Sequence, residues 1–149
     1  MRLEEEIKQK SFRSPQQKLA INLIYTYNWM TSQMQASFKR YGLTLQQYNV
    51  LRILRGQHPK PSPLTLIRER LLDRQSDVSR LLDRLVKKGL ISRENCQQDR
   101  RKMDILISKE GLEILGEMEI EVNQIESVFH ELKDEEIIQL NVLLDKMRG

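Results

Sequence analysis

The sequence predicts a mainly α-helical chain with one small β-hairpin, folded as a single domain over residues 1–149. Two observations predict the helices. Apolar residues recur at steps of three and four, which is typical of amphipathic helices, and capping residues such as serine, threonine and glycine stand at the ends of several such stretches. A third observation predicts the hairpin, because residues 90–108 contain two short apolar stretches around a strongly polar segment.

The first long helix is expected to begin at Ser14-Pro15 and to end near Tyr41-Gly42, since serine caps a helix and proline suits its first turn. Its apolar residues form two lines, so we expect it to bury two surfaces, one against its own domain and the other against a partner chain or around a ligand cavity. One line contains Leu19, Leu23, Tyr27, Met30, Met34 and Phe38, and the other contains Ile21, Tyr25 and Trp29.

Three further helices are predicted before the hairpin. Thr44 is expected to cap the first of them, which ends at Gly56, and Ser62-Pro63 to cap a short one. After a tight turn around residues 73–74, another helix is expected over about residues 75–88, ending at Gly89. The short helix, the turn and this last helix together predict a helix-turn-helix.

The remaining third of the chain predicts a hairpin and two helices. Strands are expected at Leu90-Ile91 and over residues 103–108. Ser108 is expected to open a fifth helix and Asp134 to cap a sixth. A hairpin directly after a helix-turn-helix is a wing, so the predicted fold is a winged helix-turn-helix with additional N- and C-terminal helices.

Charge is unevenly distributed, although the net charge is only +4. Residues 1–67 carry 10 basic and 3 acidic side chains, residues 68–102 carry 11 and 6, and residues 103–149 carry 4 and 12. An anionic partner is therefore expected to bind the first two thirds. The single cysteine excludes an internal disulfide framework, and the absence of a secretory pattern or a long apolar run predicts a cytoplasmic protein.

The fourth helix is expected to present a polar face that suits DNA. Helical spacing places Ser76, Arg80, Arg84 and Lys87 together, with Gln75 and Ser79 beside them. Arginine can donate two hydrogen bonds to guanine, and glutamine can pair with adenine in the major groove. The alternative is an ordinary solvated face, in which Asp77 and Asp83 pair with the basic residues at helical spacing. If the face binds DNA, these two carboxylates are expected to support the arginines rather than to contact phosphate.

The hairpin tip is strongly basic. Residues 97–102 read QQDRRK, and turn geometry alone does not require three adjacent basic residues, Arg100, Arg101 and Lys102. An arginine here can enter a narrow minor groove. Asp99 is expected to act as the orienting residue, by pairing with Arg101 or with a backbone amide. The alternative is a merely solvated loop.

These motifs together resemble the MarR family of bacterial transcriptional regulators (multiple antibiotic resistance regulators), over nearly the whole chain. The resemblance rests on LTLQQYNVL at 43–51, VSRLLDRLVKKGLI at 78–91, DRR at 99–101 and ISKEG at 107–111. It implies a DNA-binding lobe over about 43–108, and a homodimer joined through helices at about 14–41 and 109–149. Such a dimer reads a pseudo-palindromic operator and by family default represses transcription.

The resemblance also implies particular contacts. DNA contacts are expected at Gln75, Ser76, Ser79, Arg80, Arg84, Arg100 and Arg101, supported by Asp99 and Lys102. A small aromatic or lipophilic effector is expected between the dimer helices and the DNA-binding lobe. The lining residues would be Tyr27, Trp29, Met30, Met34 and Tyr48, although these are also natural core and interface residues. Ile67 stands where the family often has a small alanine, and the proline-rich connector before it is unusual.

Other functional classes have weaker support in the sequence. His58 and His130 lack the spacing of a metal site or catalytic triad, and no glycine-rich phosphate loop is present, so neither an enzyme nor a cofactor is predicted. Cys96 lies in the wing, where oxidation would disturb DNA contact, but an incidental exposed thiol is the simpler interpretation. The alternative function is a winged-helix interaction module that does not bind DNA.

Overall fold

A computed structural model of the chain describes residues 1–95 and 103–149. The structure is mostly helical, with one small antiparallel sheet, which confirms the predicted fold class. In chain order the elements are α1 (Leu3–Glu6), α2 (Pro15–Arg40), α3 (Leu45–Arg55), β1 (Ser62–Pro63), α4 (Leu64–Arg70), α5 (Val78–Lys87), β2 (Ile91–Asn95), β3 (Met103–Ile107), α6 (Lys109–Glu126), a 3-10 turn (Ser127–Phe129) and α7 (Asp134–Arg148).

The predicted caps of α2, α3 and α6 are confirmed. Ser14 Oγ accepts a hydrogen bond from the Gln17 amide at 3.1 Å, which fixes the start of α2. Thr44 and Gln47 form a reciprocal capping box at the start of α3. Ser108 Oγ accepts from the Gly111 amide at 3.0 Å, so α6 begins where the sequence predicted.

The predicted short helix α4 directly follows Ser62-Pro63, with Pro63 at its N-cap position, but neither side chain of this pair makes a capping hydrogen bond. These two residues form β1, which pairs antiparallel with β3 and gives a three-stranded sheet in the order β1-β3-β2. Consecutive X-Pro pairs favour extended backbone, and this segment uses that preference to join the sheet. Ser62 Oγ is buried and has no hydrogen-bond partner in the described part of the chain, so it does not cap α4.

Two helix starts also differ from prediction. α5 begins at Val78 rather than near residue 75, because Asp77 accepts from the Arg80 amide as its N-cap. α7 begins at Asp134, so that residue is the first of the helix and not its cap. The amide of Lys133 instead donates to Glu136 Oε2 at 2.8 Å. The short helix α1 and the 3-10 turn were not predicted.

One hydrophobic core lies in the lobe formed by α3, α4, α5 and the sheet. Leu51, Leu54, Ile67, Leu85 and Ile105 are almost completely buried there. Helices α2 and α6 contribute to the same core through Phe38, Leu115 and Met118. The C-terminal end of α2 and the middle of α6 are therefore packed directly against the lobe.

Gly111 makes a close approach between α6 and the sheet possible. A Cβ atom at this position would lie 2.3 Å from the Leu90 carbonyl oxygen and 2.8 Å from Ile107 Cγ1. The first turn of α6 thus packs against the backbone that follows α5. No helix in the described part of the chain is long and apolar enough to cross a membrane.

Candidate nucleic-acid interface

Helix α5 has one buried and one exposed face. Val78, Leu82 and Leu85 are buried against the core. The opposite face is exposed and polar, and it contains Ser79, Arg80, Asp83, Arg84 and Lys87. Among the described residues neither Arg80 nor Arg84 forms an ion pair, so their guanidinium groups are available to a ligand.

The turn before α5 holds the other two predicted contact residues. Asp73 accepts hydrogen bonds from the Gln75 amide at 2.9 Å and from the Ser76 hydroxyl at 2.8 Å. The Gln75 side chain is exposed, whereas Ser76 is half-buried. Predicted contacts Gln75 and Ser76 therefore lie at the N-terminal end of α5, in the turn rather than on the helix face.

Two arginines that the sequence analysis missed lie beside this turn. Arg68 of α4 and Arg74 line a small depression together with Ser76 and Asp77. Both arginines are exposed. The sequence did offer a signal for these two arginines, because they stand on either side of the turn in the helix-turn-helix. A ligand that contacts the start of α5 would lie near that turn.

The two carboxylates of α5 are bonded within the protein, but not to the partners that helical spacing suggested. Asp77 caps the helix. Asp83 pairs with Arg93 of β2 at 2.7 Å, and the same guanidinium donates to the Ser79 carbonyl oxygen at 3.2 Å. Arg93 therefore fastens the first wing strand to the middle of α5.

Sequence reasoning missed Arg93, although strand alternation gave a signal. Residues two apart in a strand point to the same side, so Arg93 follows Ile91 toward α5. Ile91 is buried and Arg93 is half-buried.

The predicted wing-tip contacts lie outside the described residues. These are Asp99, Arg100, Arg101 and Lys102, together with the cysteine, Cys96. The strands that lead to the tip are described as far as Asn95 and from Met103, and these two residues are paired in the ladder. The structure thus describes the two strands of the wing, and the contacts expected at its tip remain predictions.

A cavity of about 900 Å³ lies between α2 and the start of α3. Its lining includes Tyr27, Phe38, Lys39 and the turn residues 42–46. Of the five predicted effector-contacting residues, only Tyr27 lines this cavity. Trp29 and Met30 line other depressions, Met34 packs against the core, and Tyr48 is buried beside Phe38. Their binding of an effector stays a prediction.

A salt bridge joins the lobe to α6. Arg55 Nη2 at the end of α3 lies 2.5 Å from Glu119 Oε1. The hydrogen bond from Arg55 lowers the pKa of the Glu119 carboxyl, and the same bond raises the pKa of Arg55. Tyr48 lies nearby in the core, and burial raises the pKa of its hydroxyl.

The described residues contain no group of three histidine, cysteine, aspartate or glutamate side chains placed to hold a metal ion. The polar chemistry of the exposed α5 face consists of guanidinium, ammonium, hydroxyl and one paired carboxylate group. That set is suited to binding anions and hydrogen-bonding base edges.

Comparisons with known proteins agree on one family. The model of the MarR family matches residues 41–102. A MarR transcription factor from Planctomyces limnophilus is 31% identical in sequence, with 91% of this chain and 98% of that chain covered and a TM-score of 0.69.

Two other solved structures are similar. BpsR of Bordetella bronchiseptica, whose DNA binding is regulated by 6-hydroxynicotinic acid, is 26% identical with a TM-score of 0.76, and the match covers 89% of this chain and 99% of that one. MepR of S. aureus, solved as a DNA complex, is 22% identical with a TM-score of 0.79 over 86% of this chain and 94% of that one. At this identity the MepR match supports the fold alone.

The Arg55–Glu119 bond gives a pH-dependent contribution to stability. Because the folded-state pKa of Glu119 is lowered below 4.5, the bond stabilises the fold above that pH and is lost as pH falls through the lowered value. Glu119→Gln should therefore reduce the free energy of unfolding at neutral pH, and its difference from wild type should shrink well below pH 4.5. Urea unfolding at both pH values checks this.

Glu113→Gln provides the matched control for that measurement. Glu113 lies on the same helix and makes only an exposed 3.7 Å pair with Lys109. It should change stability little at either pH. A Glu119 variant as stable as the Glu113 variant at neutral pH would show that the salt bridge contributes nothing.

Proposed function

The chain belongs to the MarR family of DNA-binding transcription regulators, and we propose that it is a homodimeric repressor of a pseudo-palindromic operator. The observation that carries this proposal is the exposed face of α5, where Arg80 and Arg84 are unpaired among the described residues while the opposite face is fixed in the core. A helix of this kind fits the major groove, where arginine recognises guanine by two parallel hydrogen bonds.

Phosphate contacts would come from the surrounding basic residues. Arg68 and Arg74 flank the turn before α5, and Lys87 lies at its C-terminal end. Arg101 at the wing tip is expected to enter the adjacent minor groove, with Arg100 and Lys102 contacting the backbone. Contacts to phosphate fix the register of the protein, and contacts to base edges supply specificity.

The homodimer is supported by apolar surface that a single chain leaves uncovered. α7 has no buried residue in the described part of the chain, although it carries large apolar side chains. Of these, Ile138 is 63% and Val142 60% exposed. On α2, Ile24 is also 63% exposed. An apolar depression of about 550 Å³ between α2 and the C-terminal segment continues this surface. A second copy that covers these helices would remove the apolar area from water.

An effector would act through the cavity between α2 and α3. The cavity combines aromatic side chains, Tyr27 and Phe38, with a cation at Lys39. These groups suit a small aromatic acid, the class to which the regulator of BpsR belongs. We further propose that the protein represses transcription by occupying the operator and that such a ligand releases it. Its proposed location is the cytoplasm.

Salt dependence separates this function from an interaction module without DNA binding. If a dimer neutralises roughly 6–10 phosphates, affinity should fall by about 10³–10⁵ between 50 and 200 mM salt. Fluorescence anisotropy with a labelled duplex, selected by the protein from a random-sequence library, measures this. Near-constant affinity across the range, or failure to select any duplex, would favour the interaction module.

A positional role of the Asp83–Arg93 pair and the effect of charge alone predict opposite changes in DNA affinity when Asp83 is neutralised. Asp83→Asn removes a negative charge from the DNA-facing helix, so a purely electrostatic account expects tighter binding. If the pair holds the wing against α5, the variant should instead bind the selected duplex about two- to fivefold more weakly. Glu69→Gln, on α4 and exposed, removes the same charge without that pair and is the control. Tighter binding by both variants would contradict the positional role.

Dimer formation can be tested on α7 by two neighbouring substitutions. Ile138→Lys places a charge in the proposed apolar interface, so it should dissociate the dimer and weaken duplex binding together. Gln139→Lys adds the same charge at the next position, which is polar and exposed. Sedimentation velocity should show monomers for the first variant and dimers for the second. A dimeric Ile138→Lys protein would place the interface elsewhere.

A further inference from the structure

The C-terminal end of α5 is bonded to both long helices at once. Lys88 and Gly89 directly follow α5, and each makes a hydrogen bond to a distant segment of the chain. One bond reaches the end of α2 and the other the start of α6. The orientation of α5 is therefore tied to the two helices outside the lobe.

The bond to α2 is made by Lys88. Its ammonium donates to the Gly42 carbonyl oxygen at 2.8 Å, 46 positions away in sequence. Gly42 has φ of 63° and ends α2 with two backbone bonds, from its own amide to Lys39 O and from the Leu43 amide to Phe38 O. The ammonium thus lies at the C-terminal end of a 26-residue helix, where the helix dipole attracts a cation.

The bond to α6 is made by the next residue. The Ser108 hydroxyl donates to the Gly89 carbonyl oxygen at 2.7 Å and accepts from the Gly111 amide. Gly89 has φ of 71°, and the amides of residues 89 and 90 close the end of α5. Because the first turn of α6 also touches the Leu90 backbone closely at Gly111, this side of α5 has little freedom to move.

The Lys88 bond differs from the Ser108 bond because its acceptor borders an open cavity. Gly42 and residues 43–46 line the cavity of about 900 Å³, so the acceptor of the Lys88 bond forms part of the cavity wall. A displacement of this turn would stretch or break a single hydrogen bond at the end of α5, while the Ser108 side holds.

We propose that Lys88 is a positioning residue for operator binding, which holds the end of α5 to the cavity wall through the Gly42 carbonyl. The inference rests on the proposed function. Lys88 then contributes to recognition of the operator through the angle of α5 and not through a contact with DNA. The Lys88–Gly42 hydrogen bond also connects the cavity wall directly to the end of α5.

Three variants distinguish this role from a phosphate contact. Lys88→Met removes the donor, Lys88→Arg keeps one, and Lys87→Met removes a neighbouring exposed ammonium that we expect to lie near phosphate. Affinity is measured for the duplex selected by the wild-type protein and for a scrambled duplex, each over a range of salt concentrations.

Lys88→Met should weaken binding of the selected duplex by about 3- to 10-fold, the reduction expected when one hydrogen bond is removed. Its binding of the scrambled duplex and its salt slope should match wild type, and Lys88→Arg should restore the affinity. Lys87→Met should weaken both duplexes alike and reduce the salt slope by about 1 for each phosphate that the lysine neutralises. If Lys88→Met behaves like Lys87→Met, or like wild type, the proposal is wrong.

A measurement without DNA tests the bond itself. Hydrogen exchange of the Gly42 and Leu43 amides should be faster in free Lys88→Met protein and normal in Lys88→Arg. Unchanged exchange in Lys88→Met would show that the bond does not hold the turn and would overturn the proposal. A wild-type protein that binds both duplexes equally would instead contradict the proposed function, and the positional role of Lys88 with it.

Discussion

The burial of one face of α5 is the constraint on which the rest of the structure depends. Val78, Leu82 and Leu85 enter the core, and burial of each such side chain contributes about 1.5–3 kcal/mol. With that face buried and Leu81 packed beside it, the other positions of this ten-residue helix are exposed. Arginine and serine at the exposed positions form a polar surface whose orientation is set by the burial of the apolar face.

Hydrogen bonds and an ion pair around α5 add to the positioning that burial of its apolar face provides. Three acidic residues on or beside α5 are bonded inside the protein: Asp73 orders the turn, Asp77 caps α5, and Asp83 holds Arg93. These three carboxylates are thereby bonded within the protein, and Arg80 and Arg84 of α5 are left unpaired among the described residues. The net effect is a surface more favourable to an anion than the count of charges in residues 68–95 suggests.

The architecture was predictable because its signals are local. Ser14, Thr44 and Ser108 were identified as caps from their positions before apolar stretches, and each caps a helix. The helical periodicity likewise predicted the long helices. The exposure of Arg80, Arg84 and Lys87 on α5 also followed from helical spacing, whereas Ser76, predicted on the same face, lies in the turn before the helix.

Most of the errors arose where the partner lies far away in sequence. Ser62-Pro63 joined the sheet because β3, about 40 residues later, offered a free edge. Arg93, Glu119 and Lys88 act on residues of other elements, and nothing in the spacing of a single helix reveals those partners. Helix α5 started later than expected because Asp77, rather than an earlier residue, supplied the cap.

The central claim is that Arg80 on α5 reads base edges. The most direct test is the affinity of wild-type and Arg80→Ala protein for a library of selected operators, each with one base pair changed. We predict that Arg80→Ala costs about 1–3 kcal/mol per half-site and removes the preference at one or two symmetrically related base pairs. An Arg80→Ala protein whose base preferences match those of wild type at every position would contradict the claim.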